Sequence, residues 1–432
     1  MTRGALLALP VAALLLAACG SSDIADVAGG VDAAVLFDSG TDAGLPDGGL
    51  TVDAGASDSG TDAGETDSGI ADTGLYPPPR AALIPLDGEA LFPVTLDGNA
   101  GHYMVVDTGA ARTAVETSLL RNVVNGVGVT TIDFGDGIVL QDFEVLAVDL
   151  SDARDHIGAP IDGLIGQDLF QTMYFGIDYQ RAEVTAALKL PPVAPPPFSA
   201  GDAVAVPYDL VQELPIVDAA VGAKTARLIA DTGSGVTILT ESFSDPALLA
   251  AGLKGYTWYT SYGSDPATIV RLPSASLAGA ETKNEWAVVV PDNFHLKPVF
   301  DALGIKVDGF LGFPVYRHFY VGVDGAANRY LFYPYADTPH IDPNEWDRVG
   351  IEISRGGGKV LVDMVFTPSD ANDQGLLKDD EITAIDGAPI ATLGPDEIRM
   401  LLRGTPGETR LLTIDRAGVA QEIAVKVDHL LP

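Results

Sequence analysis

Short apolar runs separated by Gly, Asp and Asn recur along residues 81–335. In the first part of that stretch, residues 90–96, 103–106, 127–134 and 138–148 read as strands, which makes the region mainly β. Residues 114–122 have the pattern of a short helix. One run stands apart. Met104, Val105 and Val106 lead straight into Asp107-Thr108-Gly109-Ala110. A buried strand that ends in a small, Gly-containing turn presents a carboxylate where burial is costly unless the surroundings are built for it.

The same pattern occurs again. Residues 228–230 are apolar and feed Asp231-Thr232-Gly233-Ser234. A further copy, Asp72-Thr73-Gly74, follows no apolar run and is set aside. Each strand-linked copy is followed by a second repeat. Asp162-Gly163-Leu164-Ile165-Gly166 matches Asp308-Gly309-Phe310-Leu311-Gly312, and Gly176-Ile177-Asp178 matches Gly322-Val323-Asp324. Repeats in one order indicate a duplicated unit, with insertions lengthening the interval between the two motifs of the second half. The halves divide at residues 80–195 and 196–337, across the stiff proline-rich joint at 191–197.

An Asp-Thr-Gly-[Ala/Ser] turn after an apolar strand, with apolar-apolar-Gly further on, resembles the pepsin/retropepsin class of aspartic peptidases. The resemblance covers residues 81–335. It implies a two-lobed acid-protease β fold in which each lobe supplies one aspartate, Asp107 and Asp231. Two adjacent carboxyls share a proton, so one acts as general base on water while the other polarises the scissile carbonyl. By the same resemblance Thr108 and Thr232 hydrogen-bond across the loops. Gly109 and Gly233 leave room for backbone N–H groups. Ser234 is expected to donate to its aspartate where Ala110 cannot, giving a mildly acidic optimum. Tyr262-Gly263 in the second half and Phe134-Gly135 in the first are the candidate flap hairpins, with ordinary hairpins as the alternative. Asp162 and Asp308 read as turn-stabilising residues.

The N-terminus changes the setting. Arg3, an apolar stretch over residues 5–18 and Leu16-Ala17-Ala18-Cys19-Gly20 resemble a bacterial lipoprotein signal. Cys19, the only cysteine, is the expected lipidation site, so residues 1–19 form the signal and the mature protein has no disulfide. Residues 20–79 are rich in Asp, Gly, Ser and Thr and read as a disordered tether. Their Asp-Gly repeats do not follow an EF-hand loop. The formal net charge of the 432 residues is −35, with no basic patch, which argues against nucleic acid as a partner. The expected location is the bacterial cell envelope, lipid-anchored, at the outer membrane.

Beyond residue 345 the pattern changes. Residues 349–353, 360–366, 381–385, 410–415 and 420–427 read as strands, and 395–403 as an amphipathic helix with Pro in its first turn. Ser369-Asp370-Ala371, the stretch Gly375-Leu376-Leu377-Lys378-Asp379-Asp380-Glu381-Ile382 and Ile385-Asp386-Gly387 resemble a bacterial PDZ domain, a small α+β unit over residues 345–430. The resemblance implies capture of a peptide's C-terminus by strand addition, with its carboxylate held near Val349-Gly350-Ile351. A unit used only as a packing element is the alternative.

Other chemistry finds little support. The six histidines (102, 156, 295, 318, 340 and 429) show no metal-ligand spacing. There is no Gly-x-Ser-x-Gly elbow, and Gly356-Gly357-Gly358-Lys359 reads as a turn. No metal or cofactor is expected. The sequence therefore predicts a monomeric, envelope-anchored aspartic endopeptidase acting on polypeptides, with a C-terminal peptide-binding unit. The alternatives are a non-catalytic peptide-binding lipoprotein and lobes that pair between chains.

Overall fold

The computed structural model describes residues 76–431 apart from 87, 152, 155–157, 261, 262 and 278 and the side chain of Pro273. Cys19, the signal segment, most of the tether, His156 and Tyr262 lie outside the described residues.

In the first half, β1 (Arg80–Ala81) precedes β2 (Leu91–Leu96), β3 (Asn99–Val106), β4 (Ala114–Glu116), β5 (Arg121–Val124), β6 (Val127–Gly135), β7 (Ile138–Val148) and β8 (Gly163–Ile165), and β9 (Tyr174–Asp178) and β10 (Glu183–Ala187) close it. Burial alternates residue by residue along β6, as expected for a strand with one face on a core. Residues 114–122 are not a helix. Val115 and its neighbours are β-branched or buried and enter the sheet, followed by one 3-10 turn over Thr117–Leu119.

The second half holds β11 (Val204–Pro207), β12 (Asp209–Val211), β13 (Leu214–Val221), β14 (Lys224–Ala230), β15 (Ile238–Thr240), β16 (Leu253–Thr260), β17 (Gly263–Leu277), β18 (Ala280–Val290), β19 (Gly309–Leu311), β20 (Phe319–Asp324) and β21 (Arg329–Pro334). The sheets of the two halves share one topology. The order β2-β3-β8-β4-β7-β6-β5 in the first is matched by β13-β14-β19-β15-β18-β17-β16 in the second, where β12 adds an edge. The repeats seen in the sequence are thus repeats of pairing. β3 runs parallel to β8 with Val106 beside Ile165, and β14 runs parallel to β19 with Ala230 beside Leu311.

A third sheet joins the halves in the order β1-β10-β9-β20-β21-β11. Its central pair is antiparallel, with Gly176 opposite Gly322. Each half supplies three strands in mirrored order, so the duplicated glycines mark the centre of the pseudo-symmetry. A single hydrophobic core runs through this sheet from Phe92 and Phe134 to Tyr330 and Phe332. Tyr76 belongs to this folded body. Its hydroxyl bonds that of Tyr174 at 3.3 Å and that of Tyr320. The expected tether, residues 20–79, therefore overlaps the folded body at Tyr76.

The C-terminal unit comprises β22 (Asp347–Arg348), β23 (Ile351–Gly356), β24 (Lys359–Val365), β25 (Glu381–Ile385), β26 (Ala388–Pro389), β27 (Thr409–Arg416), β28 (Val419–Lys426) and β29 (Asp428–His429). The helix over Pro395–Leu401 lies against it, with Pro in its first turn. Hairpins here and in the lobes turn on residue pairs with positive φ, among them Asp97-Gly98, Asn125-Gly126, Asp136-Gly137 and Gly357-Gly358. Asn, Asp and Gly tolerate that region, and it matches the twist of the flanking strands.

This unit is fused to the second half. Lys254 of β16 exchanges backbone hydrogen bonds with Thr367, at 2.8 and 2.9 Å. Trp346, Met364, Phe366, Leu430 and Leu431 share one core with Trp258, Ile269 and Phe310. No helix among the described residues is long and apolar enough to cross a membrane.

Candidate active site

The topology brings the ends of β3 and β14 together. Asp107 and Asp231 are 3% and 1% exposed, and each carboxyl lies against the glycine of the other loop. The loops interlock. The Thr108 amide donates to Thr232 Oγ1 at 3.1 Å, and the Thr232 amide donates to Thr108 Oγ1 at 3.0 Å. Each hydroxyl then donates to the opposite strand's last carbonyl, Thr108 to Ala230 at 2.8 Å and Thr232 to Val106 at 2.6 Å. Each loop thus supplies what the other lacks.

The glycines act across the interface. A Cβ on Gly109 would stand 2.5 Å from the Asp231 carboxyl carbon, and one on Gly233 would stand 2.5 Å from that of Asp107. Their bareness therefore admits the opposite carboxyl. Their N–H groups also serve the adjacent aspartate: Gly109 donates to Asp107 Oδ1 and Gly233 to Asp231 Oδ1, both at 2.9 Å.

The two carboxyls are not equivalent. Asp107 Oδ1 receives a second hydrogen bond, from the Ala110 amide at 3.1 Å. Ser234 does not compensate on the other side, contrary to expectation. Its Oγ donates to the Val236 carbonyl at 2.8 Å, inside its own loop. Burial pushes the Asp107 carboxyl up to about 6, opposed by hydrogen bonding with Asp231 and the two backbone N–H groups. Burial, then the charge of Asp107, raises Asp231 well above the ordinary carboxylate range. The two carboxyls therefore titrate as a pair, and of the two Asp231 holds its proton more tightly.

Residues not singled out in the sequence complete the support. Thr113 and Thr237, each six positions after its aspartate, accept from the amides of Gly166 and Gly312 at 3.1 and 3.2 Å. The duplication carried this signal, since both repeats read Asp-Thr-Gly-x-x-x-Thr. Gln167 Nε2 donates to the Thr108 carbonyl at 2.7 Å, and Tyr330 donates to that of Ala230 at 3.0 Å. Neither is duplicated, so neither was visible as a repeat. Asp162 and Asp308 accept from the backbone amides of Tyr103 and Arg227 at 3.3 and 2.8 Å, which fits their reading as turn residues.

The first-half flap candidate is misplaced. Phe134 is 1% exposed, with its ring edge-on to Phe92 and Phe175 at 5.6 and 5.8 Å. Gly135 lies against the Arg80 guanidinium. Apolar bulk placed this residue in the core between two sheets. By topology the β6–β7 turn corresponds to the β17–β18 turn. The counterpart of the β16–β17 hairpin, which ends at Gly263, is the β5–β6 hairpin at Asn125-Gly126. Val123 and Val124 are exposed beside it.

The C-terminal loop also departs from expectation. Val349 and Ile351 are buried in the unit's own core. The Val349 amide donates to the Leu402 carbonyl and that of Ile351 to the Val349 carbonyl, both at 2.8 Å. A Cβ on Gly350 would meet Ser369. Two of the three amides expected to hold a carboxylate are therefore already committed. Among the described residues no three His, Cys, Asp or Glu side chains gather as a metal cluster.

No family model matches the chain, and no curated protein matches it. Among solved structures the chain is similar to a PDZ domain protein from Parabacteroides distasonis ATCC 8503, with 28% identity and a TM-score of 0.17. The similarity covers 19% of this chain and 20% of that one, so the chain spans about a fifth of that structure's length.

Proposed function

We propose that the protein is a single-chain aspartic endopeptidase of the pepsin/retropepsin type, with one catalytic aspartate from each half. The observation that carries this reading is the interlocked loop pair, which holds two buried carboxyls side by side, each against the opposite loop's glycine. With one proton on the pair, Asp107 is the base. It takes a proton from a water as that water's oxygen attacks the peptide carbonyl. Asp231 gives its proton to the developing oxyanion. Collapse of the resulting gem-diol breaks the C–N bond: the proton on Asp107 passes to the leaving amine, and one gem-diol hydroxyl returns its proton to Asp231, which restores the pair. The rigid threonine interlock supplies fixed geometry without reorganisation at the moment of reaction.

The envelope setting belongs to the same proposal and rests on the sequence around Cys19. The C-terminal unit is read as a PDZ-like module that contacts polypeptide. A second reading, peptide binding without cleavage, draws on the near-complete burial of both aspartates, since substrate must reach them. Cleavage of a peptide mixture by the full chain from pH 3 to 8, beside Asp107→Asn and Asp231→Asn, separates the two. Cleavage abolished by either substitution supports a shared two-aspartate site. A folded wild type that cleaves nothing at any pH supports the binding protein.

A further inference from the structure

The two halves differ at one buried position beside the aspartates. In the first half Leu91 pairs with Val105, and in the second Ile216 pairs with Ile229. Val105 and Ile229 each stand two residues before an aspartate, so Leu91 and Ile216 are equivalent. Two residues earlier on those strands, the equivalent positions are Glu89 and Leu214. Both are buried, Glu89 at 4% exposed and Leu214 at 0%. A carboxyl is costly to bury, and the fold does not require one here, since leucine fills the same position in the twin half.

Glu89 is held between the two aspartate loops. On one side the amide of Val106, the residue before Asp107, donates to the Ala90 carbonyl at 2.9 Å. On the other, a Cβ on Gly88 would stand 2.0 Å from the Phe313 ring, and the Phe313 amide donates to the Ser234 carbonyl of the Asp231 loop at 2.9 Å. The residues before and after Glu89 are thus each one contact from a different aspartate loop. The Tyr179 ring packs on Phe313 at 5.5 Å. Arg317 lies 5.7 Å from the same ring, but its guanidinium is committed to Glu285 and Glu345, both at 2.7 Å. Burial first, then the Asp107 charge, raises Asp231, and the Glu89 charge adds to them. Burial, then Glu89, then Asp231 raises the Tyr179 phenol. Tyr316 and Tyr330 beside Asp231 are raised chiefly by burial. The three phenols therefore stay neutral, and the acids of this region are Asp107, Asp231 and Glu89.

We infer that Glu89 is a positioning residue of the peptidase reaction: its carboxylate acts through space on the aspartate pair and keeps one proton there as the solution becomes alkaline. A further negative charge nearby disfavours the doubly ionised pair. The pair then stays as one acid and one base over a wider pH range than two aspartates alone would give. The kinetic arm of the test rests on the peptidase reading, and the spectroscopic arm rests only on the aspartate pair.

The test uses the full chain with Glu89→Gln, Glu89→Asp and Glu89→Leu, the last copying the second half. In the kinetic arm, kcat/KM for a cleaved peptide is followed from pH 4 to 10. Removing the charge should move the alkaline limb to lower pH in the Gln and Leu variants, so that kcat/KM at the foot of that limb falls about threefold or more. KM near the optimum should not change, and Glu89→Asp should restore the limb. A profile lowered evenly at every pH, with the limb in place, overturns the inference and leaves the peptidase standing. In the spectroscopic arm the chain is labelled with 13C-aspartate, and the Asp231 carboxyl resonance is assigned by its loss in Asp231→Asn. Its titration should move to lower pH in Glu89→Gln and return in Glu89→Asp, while thermal unfolding confirms that each variant is folded. An Asp231 titration indifferent to Glu89→Gln and to Glu89→Leu overturns the inference whether or not the chain cleaves. A titration that moves in a chain that cleaves nothing upholds the action of Glu89 on the pair, and the peptidase reading fails alone.

Discussion

Replacing Asp107 by Asn should stabilise the protein at neutral pH, and the gain should vanish in acid. Asp107 Oδ1 accepts from the Gly109 and Ala110 amides, and an Asn Oδ1 can keep both bonds. The substitution therefore removes the charge and little else. Raising this carboxyl from its ordinary 3.8 to about 6 disfavours the ionised form by about 3 kcal/mol. The folded state binds the proton more tightly than the unfolded state. Below about pH 4 the carboxyl is protonated in both states and the penalty is absent. As pH rises from about 4 through 6 the native group is forced to ionise, and stability falls. Above about 6 the loss is complete and constant. The wild type should lose about 3 kcal/mol of stability over that interval, and the Asn variant much less. Thermal unfolding of both proteins at pH 4, 5, 6, 7 and 8 reads the difference. The midpoints should converge near pH 4 and separate by about 4 °C at pH 7. A separation that does not change with pH, or a variant less stable than wild type at pH 8, refutes the reasoning. The same variant should be inactive, which would mark the pair as a site that trades stability for an ionisable group.

The remaining predictions concern geometry and assembly. The acid limb of kcat/KM for peptide cleavage should fall at about 6, where Asp107 takes up its proton, and full activity at pH 3 would contradict the monoanionic pair. Thr108→Val removes a buried donor to Ala230 and a buried acceptor for the Thr232 amide. It should cost about 2–4 kcal/mol, read as a lowered denaturation midpoint with lost cleavage. Phe134→Ala should cost about 3–5 kcal/mol through core loss without a selective change in KM, and a rise in KM at unchanged stability would return it to a flap role. Phe366→Ala, in the core shared by the C-terminal unit and the second half, should cost a similar amount, and calorimetry should show both melting earlier together.

The sequence exposed what the duplication repeats. Asp107 and Asp231, their threonines and glycines, and the strands behind them recur in order, and each proved to occupy equivalent positions in two sheets of one topology. Thr113 and Thr237 were equally repeated, and only the length of the motif considered hid them. Three expectations failed for reasons a linear pattern cannot express. Phe134 looked like a hairpin residue because Gly and Asp surround it, yet which of two consecutive hairpins overhangs a site depends on strand pairing. Ser234 has a hydroxyl in reach of its own loop, and the Val236 carbonyl competed successfully for it. The Val349-Gly350-Ile351 loop has the composition of an anion-holding turn, but Leu402, 53 positions on, takes the Val349 amide.

The attachment of the C-terminal unit constrains what that unit can do. A module that captures peptides independently needs an interface that can open, and such interfaces are modest and polar. Here Trp346, Phe366, Leu430 and Leu431 are 0–7% exposed within a core that includes Trp258 and Phe310, so separation would expose large aromatic surface. The backbone bridge between Lys254 and Thr367 also ties residue 367 to β16, one leg of the hairpin ending at Gly263. Motion of that hairpin and motion of the C-terminal unit are therefore mechanically linked, because a strand-to-strand hydrogen-bonded register transmits displacement where a flexible linker would absorb it. A ligand that engages the C-terminal unit acts on an element that shares a core with the strands of the second half. For this chain the boundary between the second half and the C-terminal unit falls inside one core.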